Sequence, residues 1–178
     1  LVGTTEGETI LSTNNAKAPF DNLRVRQAMA HAINRDEIIE GATYGYGVPI
    51  GSHFAPHHPY YLDLTDTYPF DPEKAKALLA EAGYPDGFSA TLKLPPVGYA
   101  RNSGLIIASE FAKVGITLEL MNMEWAQWLE DVFGNKDFDL TIISHVEPFD
   151  IGIYANPDYY FGYDNPEVQA LNEELNAT

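Results

Sequence analysis

The chain has 178 residues, a formal net charge of −16 at pH 7, 45% hydrophobic residues and no cysteine. This length and apolar content suit one domain with a hydrophobic core, or at most two small ones. The negative charge argues against a nucleic-acid partner, because phosphates are bound by lysine and arginine. The lack of cysteine excludes disulfides and thiolate sites.

The first predicted elements are a short strand and a pair of helices. The strand is expected over residues 8–13, and the opening residues are typical of the middle of a strand region, so we expect a piece of a longer protein. Asp21 is expected to cap the first helix, and Asn34 the second, where Glu37 completes a capping-box pattern. Gly41 is expected to end the second helix.

A long segment rich in proline and glycine follows, over residues 44–69. This composition argues against regular structure, and long loops in compact domains are often functional. Aromatic side chains are expected to pack the loop down, namely Phe54, Tyr60, Tyr61 and Tyr68. An H-x-x-x-H-H group in the loop would also suit zinc or nickel ligation, through His53, His57 and His58.

Helices and strands alternate in the second half of the chain. Asp71 and Pro72 open a helix that Gly83 ends. Strands are predicted over residues 88–94, 116–121 and 138–144, with helices over 100–114 and 125–133 between them. This order predicts an α/β fold with a parallel or mixed sheet and flanking helices.

Two side-chain placements follow from this arrangement. A last helix begins at Asn165 and is expected to turn Leu171 and Leu175 inward, together with Val168. Asp137 and Asp139 stand at the start of a strand, away from the edge where ligands bind, and are expected to be solvated.

Ligands of open α/β sheets bind beyond the carboxyl ends of the strands, near helix N-termini. This rule points to the three loops over residues 95–102, 122–125 and 145–153. A cation and acids in these loops suit a ligand with both a carboxylate and an amine. The candidate ligand-binding residues are Arg101, Glu147, Asp150, Tyr99, Trp125, Phe149 and His145.

Signals of an enzyme are weak. The chain contains no HExxH, GxSxG, P-loop or GxGxxG motif, so we expect no catalytic residues and no cofactor. A hydrolase built on the carboxylate pair of Glu147 and Asp150 is a less favoured alternative. A binder of metal chelates, using the three loop histidines, is the other.

Several separated motifs occur in an order that resembles a known family. They are PFDNLRVRQAMAHAINRDEI, GYGVPIGSHFAP, FDPEKAKALLAEAGYPDGF, EFAKVGITLEL with EWAQW, and KDFDLTIIS. They resemble the solute-binding proteins of peptide and nickel ABC importers, family 5, and the third motif is the most specific of them.

The resemblance implies a two-lobed fold like that of type II periplasmic binding proteins, with residues 1–178 as the inserted lobe. It implies a periplasmic or other extracytoplasmic protein, associated with the membrane through a permease, that binds small peptides or similar zwitterions between this lobe and the other. It assigns the ligand carboxylate to Arg101 and the ligand amine to the segment with Glu147 and Asp150. That segment departs from the family's D-x-x-DP pattern, because Glu147 and Ile151 replace Asp and Pro.

Overall fold

Four strands form one mixed sheet. The computed structural model describes residues 5–147 and 149–177, and its strands are β1 (Glu8–Thr13), β2 (Phe88–Leu94), β3 (Ile116–Asn122) and β4 (Leu140–His145). They lie in the order β1-β4-β2-β3. β2 pairs in parallel with β3 and β4, whereas β1 pairs antiparallel with β4. The predicted α/β fold with a mixed sheet is confirmed.

The described part of the chain contains six α-helices. They are α1 (Leu23–Ala32), α2 (Arg35–Thr43), α3 (Pro72–Glu81), α4 (Gly98–Ala112), α5 (Trp125–Trp128) and α6 (Pro166–Asn176). α5 continues as a π-helical turn over Leu129–Gly134, and a 3₁₀ helix spans Ile151–Ala155. α4 packs against the parallel strands, α1 against α3, and α2 against α4. None of the helices described is long and apolar enough to cross a membrane.

The apolar side chains form two cores. The larger one joins Leu92 and Leu140 of the sheet to Phe111 of α4. The smaller one centres on Trp128 and Tyr160. Of the two tryptophans of α5, Trp125 and Trp128, the second is buried. Its Nε1–H donates to Thr141 Oγ1 of β4 at 2.9 Å.

Several predicted helix ends differ from the observed ones by one or two residues: α4 spans Gly98–Ala112 rather than 100–114, and ends of α1 and α2 are also wrong. The cap of α1 is Asn22 rather than Asp21, because Asn22 Oδ1 accepts from the backbone N–H of Arg24. α2 runs past Gly41 to Thr43. A Cβ on Gly41 would come within 2.7 Å of Ile106 Cδ1 on α4, so this glycine permits close helix packing instead of ending the helix.

The predicted capping box of α2 is only partly formed. Asn34 Oδ1 accepts from the backbone N–H groups of Asp36 and Glu37, as expected for the cap. The backbone N–H of Asn34, however, donates to Glu110 Oε1 on α4 at 3.1 Å, where a capping box would use Glu37. Burial raises the pKa of Glu110. The cap therefore also holds α2 against α4.

Asp139 is not solvated, which corrects one placement. Its Oδ2 accepts from the backbone N–H and the hydroxyl of Thr91 at 2.8 and 2.9 Å, and Lys17 pairs with its Oδ1 at 2.5 Å. Burial opposes the ionisation of Asp139, but the contacts with Lys17 and Thr91 outweigh it and lower the pKa. Asp139 therefore links β4 to β2, while Asp137 is 76% exposed.

The leucines of α6 do not turn inward, which corrects the other placement. Leu171 is 61% exposed and Leu175 is 59% exposed, because α6 packs mainly on the short 3₁₀ helix before it. Together with apolar side chains of β1, they line an open groove of about 660 Å³.

The loop after α2 is held down by only some of its aromatic side chains. Phe54 stacks on His58 with ring centroids 4.2 Å apart, and Tyr68 meets His31 edge-on. His31 Nδ1 also lies 2.7 Å from the carbonyl of Pro69. Tyr60, in contrast, is 72% exposed.

Candidate functional site

The carboxyl ends of β2, β3 and β4 lie at one edge of the sheet, which we call the carboxyl edge. β1 begins at this edge because it is antiparallel to β4, so that Glu8 is opposite His145. The three loops nominated from the sequence follow these strand ends. Pro148, in the third loop, lies outside the described residues.

Arg101 lies in the first turn of α4 and reaches toward the chain after β3. Its Nη2–H donates to the carbonyl of Met123 at 3.3 Å, and Nη2 lies 3.8 Å from Glu124 Oε1. Its Nε is buried and has no hydrogen-bond partner among the described residues, while the side chain as a whole is 39% exposed. Arg101 is therefore only partly paired, and the exposed part of its side chain can meet an anion.

Three aromatic candidates lie in the loops and helix starts at the carboxyl edge. Tyr99 Oη accepts from the backbone N–H of Ser144 at 3.1 Å, which ties the start of α4 to the end of β4. Trp125 is 42% exposed beside the buried Trp128. Phe149 is exposed, and its ring meets His58 edge-on.

The two acids after β4 have different surroundings. Glu147 is exposed, and among the residues that the structure describes its Oε2 accepts only from the neighbouring N–H of Val146, at 3.3 Å. Asp150 is half-buried, with Oδ1 2.7 Å from His53 Nε2 and Oδ2 3.6 Å from His145 Nδ1. Glu147 is thus available to a ligand, whereas Asp150 already has two histidine partners.

Glu8 joins the cluster that Asp150 forms with His53 and His145, although the sequence analysis did not select it. Its Oε2 lies 3.3 Å from His53 Nδ1, which is also 3.3 Å from Tyr154 Oη. Burial raises the pKa of Glu8 to about 7, and the charges of Asp150 and Glu6 add to the effect. The observation that would have pointed to Glu8 is the pairing of β1 with β4, and local sequence periodicity does not reveal this pairing.

The aromatic hydroxyls and His145 of the cluster are neutral near pH 7. Burial lowers the pKa of His145 more than the neighbouring Asp150 raises it. Burial also raises the pKa of Tyr154 to about 12 and that of Tyr160 still further. Tyr160 Oη lies 3.3 Å from His145 Nε2 and 2.7 Å from Ser12 Oγ.

The three loop histidines have separate partners. His53 faces Glu8 and Asp150, His57 Nε2 lies 2.5 Å from Glu6 Oε1, and His58 stacks on Phe54. In the part of the chain that the structure describes, no group of three or more histidines and acids is arranged to hold a metal ion.

Comparison with known proteins identifies the family. The model of bacterial extracellular solute-binding proteins, family 5, middle region, matches residues 2–170. Heme-binding protein A of Haemophilus influenzae is 40% identical over 123 residues, 66% of this chain and 22% of that protein. The dipeptide-binding protein of Escherichia coli is 40% identical over 125 residues, which are 67% of this chain and 23% of that protein. The chain thus spans less than a quarter of the length of these two relatives.

Solved structures agree with this match. AgaA of A. tumefaciens R10, in complex with agropinic acid, has a TM-score of 0.87 at 30% identity, over 98% of this chain and 38% of that one. The dipeptide-binding protein of Pseudoalteromonas sp. SM9913, in complex with Met-Leu, has a TM-score of 0.76 at 29% identity, over 82% and 29%. Since the family model covers almost the whole sequence, the chain belongs to the bacterial extracellular solute-binding proteins of family 5.

Proposed function

We propose that this chain is one lobe of a larger extracytoplasmic protein that binds a small peptide or a similar zwitterion and delivers it to the permease of an ABC importer. The family supports this proposal, and so do its relatives, which include a dipeptide-binding protein and glutathione-binding proteins. Residues 1–178 form the single α/β lobe, and the other lobe belongs to the rest of the parent protein.

The observation that carries the proposal is a partly paired cation, Arg101, and an exposed acid, Glu147, at the same edge of the sheet. Arg101 has a buried Nε without a hydrogen-bond partner in the described chain, and Glu147 has an exposed carboxylate. We assign the ligand carboxylate to Arg101 and the ligand ammonium to Glu147. A charge-assisted hydrogen bond at each end of a zwitterion provides both affinity and orientation.

The remaining candidates have supporting roles in this proposal. Tyr99, Trp125 and Phe149 supply apolar walls around the ligand. Asp150 and His145 fix the segment that carries Glu147, because their side chains contact each other and their neighbours in the cluster.

The proposed function involves no chemical step and no cofactor. A ligand that contacts both lobes shifts the protein from an open to a closed state, since it binds the closed state more tightly. The closed, loaded protein then docks on the permease, which is the proposed basis of its association with the membrane.

Calorimetry on the full-length protein that carries this chain tests the proposal, with di- and tripeptides in free and C-amidated forms. Arg101→Ala is expected to weaken binding of the free peptides by about 10- to 100-fold, the equivalent of one charge-assisted interaction. Binding of the amidated peptides should change much less.

Arg24→Ala is the matched control, because Arg24 lies on the exposed face of α1 and pairs with Glu81. Equal losses for free and amidated peptides would refute the role of Arg101. Binding of a sugar or a metal chelate but of no peptide would refute the peptide assignment. Cleavage of the peptides, followed by mass spectrometry, would restore the hydrolase alternative.

A further inference from the structure

Three side chains from separate parts of the chain meet at the carboxyl edge, and we call them the clasp: Glu8, His53 and Asp150. Glu8 begins β1, His53 belongs to the loop after α2, and Asp150 follows β4. The two ring nitrogens of His53 face different carboxylates, with Nδ1 3.3 Å from Glu8 and Nε2 2.7 Å from Asp150. The three side chains are only 7–16% exposed.

The proton count of the clasp follows from this geometry. A neutral imidazole has one N–H and one lone pair, so one carboxylate would face the lone pair of His53. Two carboxylates without an added proton would also place a charge of −2 in a buried site, which is costly. One proton on Glu8 removes both problems. The protonated carboxyl donates to His53 Nδ1 and His53 Nε2–H donates to Asp150, so the three side chains share it through hydrogen bonds. The pKa of Glu8, raised to about 7 by burial, agrees with this count.

The groups around the clasp do not supply a competing positive charge. His145 faces Asp150 from β4 with a pKa lowered by burial, and Tyr154 faces His53 from the 3₁₀ helix. Tyr159 and Glu147 lie near Asp150 and His145, and Glu6 lies near Glu8 but pairs with His57. Within the described residues, the ion pairs of Glu8 and Asp150 are with histidines alone.

We propose that one proton shared by Glu8, His53 and Asp150 regulates the ligand site, because it holds the segment that carries Glu147 and Phe149 against β1 and the loop after α2. When the proton is lost, one carboxylate of the clasp faces the lone pair of His53, and both carboxylates are charged. The segment that carries Glu147 then loses its contact with β1 and the loop after α2. Ligand affinity then falls as the pH rises through the titration of the clasp. This inference rests on the proposed role of Glu147, but the clasp itself is tested without a ligand.

Glu8→Gln is the informative variant. A glutamine amide donates to His53 Nδ1 while Nε2–H donates to Asp150, so the variant keeps the clasp without a titrating proton. The melting temperature of the variant relative to the wild type is expected to increase between about pH 5 and about pH 8, since Glu8 titrates near 7 in the fold. Glu81→Gln is the matched control, because Glu81 forms an exposed ion pair with Arg24 and has no contact with the clasp.

A difference between Glu8→Gln and the wild type that stays constant across this pH range would overturn the clasp. If the variant does not fold, the ¹³C shift of the Glu8 carboxyl in the wild type decides the question. A midpoint near 7 supports the shared proton, and a midpoint near 4.5, the ordinary value for a glutamate carboxyl, overturns it.

The regulatory step is tested with a dipeptide and the full-length protein at about pH 6 and about pH 8. If the protonated clasp is the binding-competent form, the wild type is expected to lose up to about tenfold in affinity over this range. The amine of the dipeptide itself titrates near pH 8 and affects binding to both proteins equally. The loss of affinity in the wild type is therefore compared with the loss in Glu8→Gln. An equal loss of affinity in the wild type and in Glu8→Gln overturns the regulation. Absence of peptide binding at both pH values overturns the proposed function, and the clasp is then judged by the ligand-free melting experiment.

Discussion

The role of each carboxylate in this chain is set by its partners rather than by its place in the sequence. Glu147, Asp150 and Asp139 all flank β4, yet one is free, one faces two histidines, and one receives hydrogen bonds from a neighbouring strand. Only the free carboxylate suits a ligand. The other two hold elements together, so they are expected to affect stability.

Asp139 provides a prediction at this scale. Asp139→Asn removes the ion pair with Lys17 and weakens the acceptor for Thr91, and is expected to lower the free energy of unfolding by about 1–3 kcal/mol at pH 7. Because the pKa of Asp139 is lowered in the fold, this contribution is present above the unfolded value of 3.8 and is lost as the pH falls through the folded value. The gap between variant and wild type should therefore close in acid.

Urea unfolding at neutral and acidic pH measures this gap. Asp21→Asn is the control, since it changes the net charge equally but the Asp21 side chain is exposed. An equal loss in both variants would attribute the effect to net charge and not to the contacts of Asp139.

Elements meet most closely where β2 and β3 begin. Gly87 precedes β2 with φ +77°, and an added Cβ would lie 1.8 Å from the carbonyl oxygen of Gly115, just before β3. Gly83 ends α3 with a similar φ of +95°, but nothing lies within 4 Å of its Cβ position. The two glycines share the left-handed conformation and differ only in available space.

Alanine at these two positions therefore separates strain from collision. Gly83→Ala is expected to cost about 1–2 kcal/mol, the penalty of a side chain in the left-handed region. Gly87→Ala adds a backbone clash and is expected to exceed about 4 kcal/mol, or to prevent folding. Thermal unfolding of both variants measures this, and equal melting temperatures would show that β2 and β3 separate without cost.

Local signals explain which elements could be predicted from sequence. Asp71 with Pro72, and Asn165 with Pro166, open helices through their own backbone hydrogen bonds, so a few adjacent residues are enough. The strand over residues 88–94 was predicted with its observed bounds. The place of β1 beside β4, and with it the role of Glu8, depends on residues that lie more than 120 positions apart in the chain.

Side-chain burial was harder to predict than secondary structure. The spacing of Leu171 and Leu175 is that of an amphipathic helix, but periodicity does not reveal whether another element covers that face. At the candidate site, the strand-edge rule selected Arg101 and Glu147 as candidates from topology. It did not distinguish Glu147 from Asp150, because the histidines that occupy Asp150 come from β4 and a distant loop.

At the scale of the whole molecule, the proposed function requires more protein than this chain. In that proposal, Arg101 and Glu147 on the carboxyl edge form one side of the site. The relatives are more than four times as long as the matched segment. A ligand held by one lobe lacks the contacts that the other lobe supplies on closure. The isolated chain is therefore expected to bind a peptide much more weakly than the full-length protein does.

Two charge-assisted hydrogen bonds from the other lobe, at about 1.5 kcal/mol each, correspond to a difference of about 100-fold in Kd. Melting temperatures with increasing dipeptide test this, because a ligand at about 100 times its Kd stabilises the folded state by about 2.7 kcal/mol. The full-length protein should respond at about 100-fold lower peptide concentration than the isolated chain. Equal responses would mean that this lobe alone forms the complete site, and that closure on a second lobe contributes no affinity.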